Sequence, residues 1–87
     1  MASKYSHRYK EIGQLIQYYR KQKGLTQEDL ADKISISKSY LTKIEAPNCD
    51  KSFSLEVLFE IADALEISII KLIDINATKK DVSTFQQ

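Results

Sequence analysis

The chain has 87 residues, 43% of them apolar, which suits one modest hydrophobic core and leaves no room for a second domain. Its net charge of +1 conceals a split, because residues 1–45 carry nine Lys/Arg against five Asp/Glu while residues 46–87 carry four against seven. No apolar run approaches the roughly 20 residues of a membrane span, and the single cysteine, Cys49, excludes both an intramolecular disulfide and a paired-thiol zinc site.

In chain order, MASKYSHRYK reads as a flexible basic arm over residues 1–7. Ile12, Leu15, Ile16 and Tyr19 then recur at the spacing of one helical face, which predicts a first helix over Arg8–Lys23. Gly24, after Lys21 and Lys23, ends it: glycine adopts positive φ freely, and the lysines suit the negative end of the helix dipole. Thr26 with Asp29 three residues on is an approximate capping box for a second helix, Gln27 to about Ile34, whose buried side is Leu30 and Ile34. Ser35-Ile36-Ser37 leaves space only for a tight turn, and Ser37 caps a third helix, Lys38–Glu45, with Leu41 and Ile44 as its buried pair.

Pro47, Asn48 and Asp50 break helical pattern, so residues 46–53 read as a surface loop. Ser54 caps a fourth helix in which Leu55, Leu58, Ala62 and Leu65 form one stripe and Val57 and Ile61 widen it. Ser68 caps a short fifth helix, Ile69 to about Ile73. The organisation expected is an arm (1–7), one all-α domain of five helices (8–75) and a polar, frayed tail (76–87).

Two short helices joined by three residues must cross steeply, and Ala31 supplies the small side chain that such a crossing needs. The segment TQEDLADKISISKSYLTKIE, residues 26–45, resembles the helix-turn-helix of the phage-repressor and Cro-like family, also called the Xre family. The likeness extends from RKQKGL before it to IADALEIS after it, covering roughly Tyr9 to Ile73. It implies a compact lambda-repressor-like domain whose third helix enters the major groove of double-stranded DNA, about 12 Å wide. The function implied is that of a transcriptional regulator, a repressor.

By that resemblance Gln27 contacts a DNA phosphate at the positive end of the second helix. Lys38 and Ser39 hold the base-reading positions of the third helix, with Thr42 and Lys43 one turn on. Ser37 adds a phosphate bond if its capping role leaves the hydroxyl free, and Tyr40 touches the sugar-phosphate backbone. Each residue alone has a plainer reading: Gln27 as a good helix former, and Lys38 and Lys43 as solubilising residues. Ser35 stands where the family usually has glycine, which costs conformational energy or demands a different turn. The loop Ala46–Ser52 departs from the family's shorter glycine-containing loop, and Lys51 and Ser52 either approach phosphates or merely connect.

Phe59, Ile70 and Ile75 lie outside the main stripes and either form a homodimer patch or complete the core, with Phe85 of the tail able to fold over them. A homodimer places two recognition helices about 34 Å apart, matching an inverted-repeat operator. His7 has no second ligand type nearby, Lys4, Arg8 and Lys10 either follow the DNA backbone or form a mobile arm, and Cys49 reads as incidental rather than as a redox switch. One histidine, one cysteine and no glycine-rich phosphate loop leave nothing for catalysis, so no enzyme activity, cofactor, metal or small-molecule ligand is expected. The N-terminus lacks the apolar core of a signal peptide, which places the protein in the cytoplasm and off the membrane. The competing reading is a protein-interaction or antitoxin-like module, for which the polar outer face of the third helix is poorly suited.

Overall fold

The computed structural model describes residues 4–47 and 52–73, and among them all regular structure is helical. The helices are α1 (Ser6–Gln22), α2 (Gln27–Lys33), α3 (Lys38–Glu45), α4 (Leu55–Leu65) and α5 (Ile70–Ile73). α1 starts two residues before the expected Arg8, so Ser6 and His7 belong to its first turn rather than to an arm. Apolar periodicity marks only the part of a helix that packs, and the polar first turn of α1 lies ahead of its first apolar contact, Tyr9.

Three hydroxyls and one box start the remaining helices as their residue types dictate. The Thr26 hydroxyl accepts the Asp29 N–H at 3.0 Å, and the Thr26 N–H donates back to the Asp29 carboxylate at 3.0 Å. Hydrogen bonding to the carboxylate by the Thr26 backbone N–H first, and then by the Thr26 side chain, holds the Asp29 carboxyl below its ordinary value. Ser37, Ser54 and Ser68 hydroxyls accept N–H bonds from Tyr40, Val57 and Ile70.

The first, second and fourth helices end alike. Each passes through one residue at positive φ: Gly24 (79°), Ser35 (61°) and Glu66 (59°). The apolar residue that follows, Leu25, Ile36 or Ile67, returns its N–H to a carbonyl five residues back, on Arg20, Ala31 or Ala62. This Schellman pattern satisfies the last carbonyls and turns an apolar side chain back onto the body. At Ser35 this turn is made at positive φ with a Cβ present. Glu66 is further tied to Lys23, which pulls its carboxyl below the usual range and links the ends of α1 and α4.

The core gathers Ile16, Leu30, Ala31, Leu41, Ile44, Phe53, Leu58, Ile61, Ala62, Leu65 and Leu72. Ala31, the small residue expected where α2 meets α3, is 1% exposed. Three assignments shift. Leu55, placed on the buried stripe of α4 by its spacing, is 57% exposed, because it is the first residue of the helix and precedes the turn that packs. Ile61, expected at the stripe's edge, is at its centre and fully buried. Phe53, counted with the loop, is buried and meets the Tyr9 ring edge-on at 5.1 Å, so it anchors the return of the chain on α1. At Gly13 the backbones of α1 and α3 nearly touch; a Cβ there would fall on the Ile44 carbonyl.

Candidate nucleic-acid interface

The third helix has two unlike sides. Leu41 and Ile44 are 0% and 2% exposed and fasten it to the core, whereas Lys38, Ser39, Thr42 and Lys43 are all exposed. The four residues singled out in sequence as base-reading thus share one solvent-facing side. Ser37, just before them, is exposed, and its capping bond uses an oxygen lone pair, leaving its own proton uncommitted by that bond. Tyr40 is half-buried and packs on the core, which fixes the start of α3 from beneath.

Gln27 is half-buried at the first position of α2, and both ends of its amide are engaged. Its Nε2 donates to the Glu45 carboxylate at 3.0 Å, and its Oε1 accepts the Thr42 hydroxyl at 2.9 Å. A plain helix-former role does not account for that arrangement. One Nε2–H remains uncommitted by these two bonds.

Beneath lies a buried ion pair that the sequence analysis did not single out. Arg20 and Glu45 are 6% and 2% exposed. Arg20 Nε donates to one carboxylate oxygen at 2.8 Å, Nη2 to the other at 3.0 Å, and Nη1 to the Leu25 carbonyl at 2.7 Å. Gln14 donates to the Glu45 backbone carbonyl at 2.9 Å. One carboxylate therefore joins the end of α1, the start of α2 and the end of α3, which is a reason for those helices to hold one relative orientation. The signal was present: Arg20 is four residues after buried Ile16 and Glu45 four after buried Leu41, so opposite charges fall in phase with two apolar stripes.

The remaining candidates sort by position. Phe59 and Ile70 are 49% and 62% exposed, which removes the core-completing alternative for both, and Leu55 and Ile73 join them as exposed apolar residues. Lys4, Arg8 and Lys10 are exposed, with the last two on α1, and Ser52 is exposed after the loop. Cys49, Lys51, Ile75 and Phe85 lie outside the described residues. Among the described residues no group of His, Cys, Asp or Glu is arranged to hold a metal ion, and no helix is long and apolar enough to cross a membrane.

Comparison with known proteins places this geometry. A family model described as helix-turn-helix matches residues 16–72. The transcriptional regulator SinR of Bacillus subtilis (strain 168) is 40% identical over 63 residues, which are 72% of this chain and 56% of that protein. The immunity repressor protein of Bacillus phage phi105 is 39% identical over 62 residues, 71% of this chain and 42% of that protein. The chain thus spans about half the length of the curated relatives it matches. A crystal structure of SinR, named as the master regulator for biofilm formation, in complex with DNA superposes with a TM-score of 0.67 at 40% identity, covering 72% of this chain and 98% of that one. With the family model spanning more than half of its residues, α2 and α3 among them, the chain belongs to the phage-repressor and Cro-like (Xre) helix-turn-helix family.

Proposed function

We propose that this protein is a sequence-specific double-stranded-DNA-binding transcriptional regulator acting as a repressor, with α3 in the major groove. The observation that carries the reading is the two-sidedness of α3: Leu41 and Ile44 bind it to the core while Lys38, Ser39, Thr42 and Lys43 face solvent together. Lysine donates to guanine O6 and N7 or to phosphate, and the hydroxyls pair with base edges. Gln27, through its remaining N–H, and Ser37 supply phosphate contacts that set register, and Tyr40 contacts the backbone from the start of the helix. The relatives support this reading, being named as a transcriptional regulator and an immunity repressor. The protein acts in the cytoplasm as a homodimer on an inverted repeat, with the exposed Phe59 and Ile70 at the subunit contact, and has no catalytic step.

The test is fluorescence anisotropy against DNA from upstream of the protein's own gene and against a shuffled control, at two salt concentrations. Specific regulation predicts roughly a thousandfold preference for the native sequence near physiological salt, together with a linear fall of log K with log salt for the phosphate contacts. Equal, weak binding to both, extended to a randomised duplex pool without enrichment, overturns the reading in favour of a protein partner.

A further inference from the structure

We infer that Thr42 is held as an acceptor-only group towards DNA and therefore selects a base that offers an exocyclic amino group, adenine or cytosine, at the base pair beneath it. The inference rests on the DNA-reading function proposed above and deepens it. Its source is the direction of three consecutive hydrogen bonds. The Glu45 carboxylate, 2% exposed and paired with Arg20, can only accept. The Gln27 amide beside it must therefore present its N–H end, as it does at 3.0 Å, since turning the amide would set a carbonyl oxygen against a buried carboxylate oxygen. That orientation fixes the Gln27 carbonyl towards Thr42, whose hydroxyl donates to it at 2.9 Å.

A threonine hydroxyl has one proton and two lone pairs. With the proton committed to Gln27, the exposed side of Thr42 Oγ1 has only lone pairs to offer. On the strand that Thr42 faces, adenine N6 and cytosine N4 are amino donors, whereas guanine O6 and N7 and thymine O4 are acceptors that such an oxygen repels; adenine N7 is an acceptor too, so the contact is made at N6. An uncommitted hydroxyl makes no such choice, since it rotates to donate or accept. Gln27 is thus a positioning residue for specificity: it transmits the polarity of a buried charge to the surface of the reading helix.

The experiment is selection from a randomised duplex pool by the full chain, followed by anisotropy on the enriched site. At one position the wild type should prefer adenine or cytosine by about tenfold over guanine and thymine, the scale of one good base contact. Replacing that base by its analogue lacking the amino group, purine for adenine or 2-pyrimidinone for cytosine, should cost the same factor. Thr42→Val should flatten preference at that position alone, and Thr42→Ser should retain it. Gln27→Ala should admit guanine and thymine there, beyond any uniform loss of affinity from its phosphate contact. Both Thr42 variants alter an exposed residue, so they report even where Gln27→Ala weakens the fold. A preference untouched by Thr42→Val, by the analogue or by Gln27→Ala overturns the inference while leaving DNA reading intact. A thymine-methyl preference, seen as a loss on uracil substitution, overturns it as well. A wild-type chain that enriches no sequence removes the DNA-reading function and this inference with it.

Discussion

Arg20 and Glu45 exchange two hydrogen bonds in a site where each is under a tenth exposed, and Glu45 also receives the Gln27 amide. Burying an ion pair gains little over a well-packed apolar pair, but removing one member strands the other charge away from water. Arg20→Met should therefore destabilise the protein by about 3–5 kcal/mol in urea denaturation. That is a large share of the roughly 5–15 kcal/mol available to a small domain. Arg20→Met combined with Glu45→Leu should recover part of the loss, because no charge is then stranded; the half-buried Gln27 N–H would lose its acceptor and the Leu25 carbonyl its Arg20 donor. A single variant as stable as wild type would show that solvent reaches Glu45. Glu45 and Arg20 were visible as charges in phase with apolar stripes, but a sequence gives phase along one helix at a time. Their meeting depends on how α1 and α3 approach, which Gly13 permits and no local pattern states.

At the level of elements, most starts and stops were legible because caps are local chemistry: a hydroxyl three residues before the N–H it accepts, and a positive-φ residue followed by an apolar one. The packing of α4 was less so, since spacing alone made Leu55 equivalent to Leu58, and only the tertiary position of the first turn exposes it. The outward side of α3 was legible because Leu41 and Ile44 fix the helix phase and leave Lys38, Ser39, Thr42 and Lys43 nowhere else to point. The α2–α3 turn yields a prediction at this scale. Ser35 adopts φ 61°, where a Cβ costs about 1–2 kcal/mol. Glycine removes that cost but adds about 0.5–1 kcal/mol of unfolded-state entropy. Ser35→Gly should then stabilise the fold by about 0.5–1 kcal/mol, raising Tm by a few degrees in a chain of this size. Ser35 is exposed and its N–H already bonds the Asp32 carbonyl, so no contact is lost that would cancel the gain. A lower Tm would mean that the serine hydroxyl contributes more than its backbone strain costs.

For the whole molecule, the proposed function requires one small domain to obtain enough contact with DNA to be selective. A single module buries on the order of 600–1,000 Å² of its own surface on a duplex, whereas dimers engage two half-sites and bury more. The charge split of the sequence suits this division of labour: the basic first half contains α3, and the acidic second half contains α4 and α5, where Phe59 and Ile70 stand exposed. If those residues form the subunit contact of the homodimer proposed above, Phe59→Ser with Ile70→Ser should leave the thermal melt of the monomer unchanged, because neither side chain is part of the core. It should shift light-scattering mass from dimer to monomer at the same concentration. It should also lower affinity for a full inverted repeat by at least about tenfold, while affinity for an isolated half-site stays constant, since the effective concentration of the second reading helix is lost. An equal loss on half-site and full site would instead assign the two residues to the DNA-bound fold of one protomer. An unchanged ratio with an unchanged mass would place the subunit contact on another face. The comparison of half-site with full site is decisive because the proposed subunit contact and the proposed reading helix lie in opposite halves of the chain, so a change in one need not appear in the other.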